Sequence, residues 1–392
     1  MLVQPVHKIL IAHNAYQQRG GEDSVVESEI ALLRARGHTV VEYRRSNDDL
    51  KNMGRLGAAT QTLWSRQTKA ELAALFAAEK PDVLHVHNTF PLISPSLYWA
   101  AAEAHVPVVQ TLHNYRLLCP QAMLLREGSV CEDCVGKVPW RAAVRACYRE
   151  STLQSAVLSG MLTLHRGLGT YQKKIGRYIA LTDFGRQKFI DGGLPAERIR
   201  VKPNFVESPA ENANSEREGF LFVGRLSAEK GIDVLAQALK SAPNLLCEVI
   251  GAGPDEACLT QLSGVTLSGW QQGDYILSRM QATRALVMPS ICFEGFPRTL
   301  AEAFAAGLPV IASRLGAMAT SIDHGRTGLL FEPGNPTDLA EKLRWAQENP
   351  EAMATMGRAA RAEYEARYTP EKNYELLMDI YAEAIDVSQQ GV

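Results

Sequence analysis

Short apolar runs alternate with segments of helical spacing from one end of the chain to the other. Such runs are typical of parallel strands that are buried on both faces of a sheet. The segments between them place apolar residues three and four positions apart, which predicts helices that cover the sheets. The expected strands are 8–13, 82–87, 106–113 and 178–182, then 220–224, 246–250, 265–267, 285–288 and 309–312. The expected helices are 24–36 and 69–79, then segments near 231–241, 273–282, 297–306 and 336–347.

Two series of this kind predict an α/β fold class with two doubly wound parallel-sheet domains in tandem. A chain of 392 residues also exceeds the usual size of a single core. The segment 206–219 is rich in Glu, Asn, Ser and Pro and is the expected linker. We therefore expect domains at 1–205 and 206–370, with a last helix in 371–392 that packs back on the first domain.

Composition places the chain among soluble globular proteins, because 46% of its residues are hydrophobic and 21% are charged. Its apolar runs are too short to span a bilayer. The first residues lack the basic start, long apolar core and cleavage site of a secretory signal, so we expect a cytoplasmic protein.

The net charge of −2 hides an imbalance between the two halves of the chain. Residues 1–205 hold 26 lysines and arginines against 18 acidic residues, and residues 206–392 hold 15 against 25. The segment 137–177 has eight basic residues, one acidic residue and interleaved apolar residues. One interpretation is a surface that binds an anionic acceptor or anionic lipid, which would place the protein on the inner face of the cell membrane. The alternative is ordinary solvated helix faces. No nucleic-acid-binding motif accompanies the charge, so we expect no nucleic acid partner.

Two glutamates, Glu294 and Glu302, stand eight residues apart across a loop-to-helix junction. A proline at its start and a glycine at its end predict a helix over 297–306. The amides of Arg298 and Thr299 and the helix dipole would then favour an anion at the helix start. Carboxylates beside that anion can accept hydrogen bonds from hydroxyl groups attached to it, which is the layout of a nucleoside diphosphate sugar. The alternative is an amphipathic helix with one capping and one exposed glutamate.

Two cations follow the first strand of the second domain. Arg225 and Lys230 are five residues apart, with Gly224 directly before the first of them. They could neutralise a diphosphate, and a solvated turn is the alternative. A glycine turn that includes Gly253 follows the next strand, but it lacks a full dinucleotide fingerprint and gives no support for a nicotinamide cofactor.

Three strands of the first domain end in the same dipeptide, since His13, His87 and His113 are each followed by asparagine. Ligands bind outside the carboxyl ends of strands in open α/β sheets, so we expect these pairs to line one functional edge. Structural hydrogen bonding and, less favoured, a metal site are the alternatives. Gly20 and Gly21 follow the first strand, where such folds place a ligand loop.

Four cysteines form a C-x11-C-x2-C-x12-C pattern after the His113 loop. The central C-x2-C pair with flanking cysteines predicts a structural zinc site, and disulfides are disfavoured in a reducing cytoplasm. Four separate thiols and an iron–sulfur cluster are the alternatives. The four residues are Cys119, Cys131, Cys134 and Cys147.

Together these motifs resemble family 4 of the glycosyltransferases over nearly the whole chain. The resemblance rests on the two glycines of the first loop, His113-Asn-Tyr, Arg225 with Lys230, and Glu294-x7-Glu302. It implies the GT-B fold, two Rossmann-like domains that face each other across a cleft. It also implies retaining transfer of a sugar, of hexosyl type, from a nucleoside diphosphate sugar to a glycan or lipid-linked acceptor in cell-surface polysaccharide or glycoconjugate synthesis. No cofactor is implied for catalysis.

The resemblance also implies a role for each site residue. Glu294 would contact donor-sugar hydroxyls near the reacting carbon, and Glu302 would hold the ribose. Arg225 and Lys230 would stabilise charge on the leaving diphosphate, and His113 would lie by the donor sugar. The remaining donor-binding positions are Gly295, Phe296, Arg298, Thr299, Gly224 and Gly253, and Gly20 and Gly21 would approach the phosphates or the acceptor.

Other activities remain as alternatives. A sugar-nucleotide epimerase of the same fold would need an acid/base set that removes substrate protons or the nucleotide, and a glycosidase would need two carboxylates flanking one glycosidic bond. A non-catalytic sugar-nucleotide-binding protein would be expected to lack some site residues. The sequence leaves the base and sugar of the donor and the nature of the acceptor open.

Overall fold

The computed structural model describes residues 7–17, 20–209 and 217–389. The chain divides into two compact units. The first unit comprises Met1–Met123, Glu132–Lys202 and Asn373–Val392, and the second comprises Leu124–Cys131 and Pro203–Lys372. Residues 210–216, within the predicted linker, lie outside the described residues.

Each unit is built on a six-stranded sheet in which all the paired strands are parallel. The order is β2-β1-β3-β4-β7-β8 in the first unit and β11-β10-β9-β12-β13-β14 in the second, while β5 and β6 form a small hairpin. The strands are β1 Lys8–Ala15, β2 Thr39–Ser46, β3 Val83–Val86, β4 Val108–Leu112, β5 Leu125–Arg126, β6 Ser129–Val130, β7 Arg177–Ala180, β8 Ile199–Val201, β9 Phe220–Val223, β10 Cys247–Ile250, β11 Val265–Gly269, β12 Ala285–Met288, β13 Val310–Ser313 and β14 Gly328–Phe331.

Fifteen α-helices lie in the described part of the chain. They are α1 Gly21–Ala35, α2 Arg55–Leu63, α3 Arg66–Glu79, α4 Ser96–Glu103, α5 Trp140–Val144, α6 Thr152–Gly167, α7 Thr170–Lys173, α8 Asp183–Asp191, α9 Ile232–Lys240, α10 Gly273–Ala282, α11 Arg298–Ala305, α12 Gly316–Ser321, α13 Pro336–Glu348, α14 Pro350–Arg367 and α15 Pro370–Gln389. None of these helices combines the length and the apolar composition needed to cross a membrane.

The predicted fold class is confirmed, because each unit is a doubly wound α/β structure with a parallel sheet. In the second unit the strand order reverses between β9 and β12, so the loops that follow these two strands open beside a topological switch point. All nine predicted strands correspond to strands of the sheets. The prediction missed β2, β8 and β14, which lie at outer positions of the two six-stranded sheets, and it also missed the hairpin strands β5 and β6.

The last helix packs on the sheet of the first unit. Leu377, Tyr381 and Ala384 of α15 lie in one buried cluster with Ile9 and Ile11 of β1. This apolar contact places the polar end of Tyr381 inside the first unit, where it meets a histidine of β3.

Candidate active site

A tight turn of the second unit brings the loop after β9 against the loop after β12. Gly231 has φ +72°, and a Cβ built on it would lie 1.9 Å from the carbonyl oxygen of Pro289. Only glycine fits this close approach without a shift of the backbone. The neighbouring amide of Ile291 donates to the carbonyl of Glu229 at 3.0 Å, which joins the two loops. Lys230 and Glu294 are therefore held side by side.

Glu294 accepts two short hydrogen bonds in this place. Lys230 Nζ lies 2.7 Å and Ser290 Oγ 2.6 Å from its Oε1 atom. Burial alone would raise the pKa of Glu294, but the Lys230 ammonium lowers it; the same pairing raises the pKa of Lys230 against the effect of burial. The two side chains thus form an ion pair at neutral pH. The prediction had placed Lys230 against a diphosphate and did not foresee its direct contact with Glu294, nor any role for Ser290.

The second predicted carboxylate is paired as well. Glu302 Oε1 accepts a hydrogen bond from Arg298 Nε at 2.8 Å, one helical turn earlier in α11. The predicted helix 297–306 is slightly shorter than expected, because Pro297 precedes the first helical residue instead of occupying that position. Arg298 and Thr299 are consequently the first two residues of α11, where backbone amides have no acceptor inside the helix.

The turn after β9 presents Arg225. This side chain is exposed, and no ion pair to it is found among the described residues. Gly224 directly precedes it at the end of the strand. A Cβ built on Gly253 would lie 2.1 Å from the carbonyl oxygen of Leu226, so a glycine at this position is required for packing against the turn.

Two further predicted donor-binding residues differ in exposure. Gly295 is half-buried, whereas Phe296 is only 4% exposed and its ring lies 5.0 Å from that of Tyr368. The carbonyl of Phe296 accepts from Asn204 Nδ2 at 2.9 Å. The Phe296 side chain is therefore part of the interior of the second unit.

In the first unit the structure brings two of the three predicted histidines into direct contact. His87 Nδ1 and His113 Nε2 are 2.9 Å apart. Both residues line a cavity together with Asn88, Asn114 and Arg116. Burial and the neighbouring histidine hold the pKa of His113 well below its usual value, so the ring is neutral at neutral pH.

The third histidine has a different partner. His13 Nε2 lies 2.8 Å from Asp23 Oδ1, and Asp23 Oδ2 also accepts from the amide of Gly20. Asn14 Nδ2 donates to Asn47, and Asn88 Nδ2 donates to the carbonyl of Asn14. These contacts hold the loop after β1 in place. For His13, Asn14 and Asn88 they correspond to the structural hydrogen bonding that the sequence left open as an alternative to a functional role.

The two predicted loop glycines face open space. A Cβ built on Gly21 meets nothing within 4 Å, and one on Gly20 meets only Asp23 Oδ2 at 3.9 Å. Gly20 has an extended backbone with φ −118°, which any residue adopts. Packing within the first unit therefore gives no reason for glycine at either position.

The sequence interpretation missed one carboxyl group at this loop. Glu22 Oε2 accepts from Tyr16 at 2.8 Å, and the Asn114 amide lies 3.5 Å from the same oxygen. Burial raises the pKa of Glu22. A glutamate at the start of a helix usually interacts with the helix dipole, so its sequence position alone did not distinguish it.

Two family models match the chain in succession. Residues 20–204 match the model described as "Glycosyl transferase 4-like domain", and residues 205–363 match "Glycosyl transferases group 1". The chain belongs to family 4 of the glycosyltransferases. Its two Rossmann-like units are those of the GT-B fold.

The relatives of this family 4 chain are named as transferases of different sugars. It is 33% identical to the sulfoquinovosyl transferase of Arabidopsis thaliana over 46% of this chain and 39% of that protein. It is 25% identical to the phosphatidyl-myo-inositol mannosyltransferase of Mycobacterium leprae over 85% of each. The chain thus spans less than half the length of the Arabidopsis relative. The fold is similar to that of the Anabaena protein HepE in complex with UDP-glucose, with TM-score 0.68 and 18% identity over 96% of this chain and 100% of that one.

The predicted zinc ligands of this family 4 chain are thiols. Cys119 and Cys134 are buried and Cys147 is half-buried, all in the first unit, while Cys131 groups with the second unit. Tetrahedral zinc with bonds of about 2.3 Å holds its sulfurs about 3.8 Å apart. Within the described residues, the three cysteines of the first unit are not a group whose sulfurs all lie within 4.8 Å of one another. These three thiols do not form a metal site by themselves, and structural zinc held by all four cysteines stays a prediction.

The basic segment 137–177 has some side chains that are paired or buried within the first unit and others that are exposed. Arg166 donates to the carbonyls of Lys137 and Leu117, and Arg177 pairs with Glu383 at 2.7 Å. Asp133, just outside the segment, pairs with two further members, Arg141 and Arg145. The interleaved apolar residues are divided in the same way: Leu158, Met161 and Leu162 are among the buried ones, and Trp140 and Val144 are among the exposed ones.

Proposed function

We propose that the protein is a retaining glycosyltransferase of hexosyl type that transfers a sugar from a nucleoside diphosphate sugar to a glycan or lipid-linked acceptor of cell-surface polysaccharide or glycoconjugate synthesis. The observation that carries the proposal is the contact of Lys230 with Glu294 near the start of α11. It combines a cation, an ionised carboxylate and a helix start, which suit the charges and hydroxyl groups of such a donor. Relatives named as sugar transferases, and a structural neighbour solved with UDP-glucose, support this chemistry.

Charge stabilisation is the proposed source of catalysis. The bond between the anomeric carbon and the diphosphate breaks, the acceptor hydroxyl oxygen bonds to that carbon, and its proton leaves on the released diphosphate. Arg225 and Lys230 stabilise the negative charge that grows on the diphosphate. An ammonium has three N–H groups, so Lys230 can hold Glu294 and still donate to a phosphate oxygen.

Glu294 is proposed to hold donor-sugar hydroxyls and not to act as a general base. A good base at neutral pH has a pKa near the working pH, whereas Lys230 keeps the pKa of Glu294 below its usual range despite burial. This favours transfer over the epimerase alternative, which requires proton abstraction. We assign the ribose to Glu302, whose second oxygen is not engaged by Arg298 Nε.

The first unit is proposed to supply the acceptor side. Gly20 and Gly21 leave space at the start of α1 where a phosphate or an acceptor hydroxyl could approach the backbone. His113, which lines the cavity together with His87, is proposed to contact the donor sugar.

A panel of nucleotide sugars tests the proposed function. We expect at least one to raise the melting temperature at a concentration of about a hundred times its Kd, because such binding adds about 2.7 kcal/mol of stability. The same compound should be hydrolysed slowly without an acceptor and transferred with one, with the anomeric configuration retained. A nicotinamide dinucleotide is the control and should shift nothing. If no nucleotide sugar binds, or if the only product is an epimer of the donor, the proposal is wrong.

We also propose that exposed residues of the segment 137–177 bind an anionic membrane. Val138, Trp140 and Val144 are 58%, 58% and 71% exposed, and all three lie in α5 or just before it. The exposed cations Lys137 and Arg149 belong to the same segment. Apolar side chains that enter the interface and cations that meet anionic headgroups are the two contributions to such binding.

Vesicle sedimentation tests this surface. The protein should sediment with vesicles that contain phosphatidylglycerol, and less so at high salt because the cations are solvent-exposed. The double variant Trp140→Ser, Val144→Ser should lose most of this binding. Trp270→Ser is the matched control, because Trp270 is 74% exposed and belongs to the second unit. Equal sedimentation of both variants with wild type, or no sedimentation of wild type, would refute the membrane proposal.

A further inference from the structure

A continuous set of buried polar side chains leads from Lys202 to His113 inside the first unit. Glu29 of α1 and Lys202, which follows β8, are only 1% and 2% exposed. Lys202 Nζ lies 2.8 Å from Glu29 Oε2. The other carboxylate oxygen, Glu29 Oε1, lies 3.4 Å from His87 Nε2, and His87 Nδ1 lies 2.9 Å from His113 Nε2. His87 and His113 both line the cavity, and His113 is half-buried whereas His87 is buried.

A second histidine shares the carboxylate. His85 Nδ1 lies 3.0 Å from Glu29 Oε1 and 2.7 Å from the hydroxyl of Tyr381, and its Nε2 lies 2.8 Å from Thr111 Oγ1. Glu29, His85 and His87 therefore hold three potential metal ligands within 4.8 Å of one another. The Lys202 ammonium on the same carboxylate already supplies the balancing positive charge, and it would repel a cation at this site.

The charges of the set determine where its protons lie. Burial alone would raise the pKa of Glu29, but Lys202 and His85 hold it well below its usual value, so Glu29 is an anion that only accepts hydrogen bonds. Burial and the neighbouring His85 lower the pKa of His87 to about 3. His87 is therefore neutral and carries one N–H.

The Glu29 carboxylate beside His87 Nε2 favours one of the two neutral tautomers of His87. If the proton lies on Nε2, it lies beside the Glu29 carboxylate, whose Oε1 atom is 3.4 Å from Nε2; the two atoms form no hydrogen bond, but an N–H this close to a buried carboxylate is electrostatically favourable. If the proton lies on Nδ1, a lone pair on Nε2 faces that carboxylate, which is repulsive in a buried place. With the proton on Nε2, His87 Nδ1 must accept from His113 Nε2–H, so the lone pair of His113 is on Nδ1.

We propose that Glu29, acting through His87, fixes the tautomer of His113 so that His113 Nδ1 accepts a hydrogen bond from a hydroxyl group of the bound sugar. Glu29 and His87 are positioning residues in this proposal, and His113 is the residue that touches substrate. The inference rests on the proposed function for the identity of that substrate. The tautomer itself does not depend on it, because every contact in the set lies within the first unit.

Nitrogen NMR of ¹⁵N-histidine-labelled full-length protein tests the tautomer without any substrate. The ring nitrogens of His113, assigned by comparison with His113→Ala, should show a protonated Nε2 and an unprotonated Nδ1 at neutral pH. In His87→Leu the neutral His113 ring should show a changed, mixed pattern. A wild-type protein with the proton on His113 Nδ1 overturns the proposal, whether or not the protein transfers sugar.

Kinetics test whether the tautomer matters. With the nucleotide sugar that stabilises the protein most, His87→Leu should lower kcat about ten- to a hundredfold with a smaller change in KM, by analogy with the loss found when a group that orients a metal-bound histidine is removed. His87→Asn should recover part of this loss, because the asparagine oxygen can accept the His113 N–H. His165→Leu is the control for replacing a buried histidine, since His165 bonds Thr170 and the Leu63 carbonyl instead.

Two outcomes separate this inference from the proposed function. If no nucleotide sugar is turned over by wild type, the proposed function fails while the NMR result still decides the tautomer. If wild type is active and His113→Ala loses activity, but His87→Leu keeps the wild-type kcat and the wild-type His113 nitrogen shifts, then Glu29 and His87 do not position His113 and the inference is wrong.

Discussion

Arg225→Ala is expected to lower kcat for sugar transfer about a hundred- to a thousandfold, the range seen when one charge-stabilising donor is removed from an active site. The exposed Arg225 side chain lies at the end of β9, beside the turn that carries Lys230. Its positive charge is proposed to meet the diphosphate most strongly as the sugar leaves. Loss of this contact should therefore reduce kcat more than it raises KM for the donor.

Folding should change little in this variant, because no ion pair to Arg225 is found within the described residues and surface substitutions usually alter stability by less than about 0.5 kcal/mol. Arg225→Lys should recover only part of kcat, since an ammonium does not reproduce the bidentate contact of a guanidinium with phosphate. Arg344→Ala, which removes an exposed arginine of α13, is the matched control and should keep full activity. Wild-type kcat in Arg225→Ala, measured with saturating donor, would contradict the assigned site.

The two sheets and the approximate site were predictable because they depend on local patterns. Buried parallel strands are continuous apolar runs, and this pattern can be recognised without reference to residues far along the chain. Eight of the predicted strands are of this kind, because each lies inside a sheet with a paired strand on both sides. β2 was missed because it mixes charged and apolar residues, with Glu42, Arg44 and Arg45 among its eight positions. The positions of Arg225, Lys230 and Glu294 followed from glycine turns and strand ends, which are also local signals.

Pairing between distant residues was not predictable from spacing. The sequence assigned Lys230 to the diphosphate and Glu294 to the hydroxyl groups of the donor sugar, whereas the approach of Gly231 to Pro289 brings the two side chains within 2.7 Å of each other. Glu29 reads as one polar position in an amphipathic helix, and Lys202 as one basic residue near a strand end. They are 173 residues apart in sequence, and only the packing of α1 against the sheet makes them partners.

The buried pair gives the second large prediction. Glu29→Leu is expected to reduce the free energy of unfolding of the first unit by about 3–5 kcal/mol, because it leaves the Lys202 ammonium buried without its anion. Lys202 also contacts Asn373 Oδ1 at 3.1 Å, but a neutral amide oxygen does not balance the charge. The double variant Glu29→Leu, Lys202→Met should recover most of the loss, since both charges are replaced by apolar side chains of similar volume. Denaturant unfolding, monitored by hydrogen exchange of β1 and β3, measures the difference.

The same pair predicts how stability depends on pH. The folded pKa of Glu29 is depressed by Lys202 although burial works against this shift, so its contribution is present above the unfolded carboxyl pKa of about 4.3 and is lost as pH falls further. Wild type should therefore lose more stability on acidification below about pH 5 than the double variant does. If Glu29→Leu alone is as stable as wild type, or if the single and double variants unfold at the same denaturant concentration, Lys202 is not held by Glu29, and the electrostatic origin of the His87 tautomer fails with it.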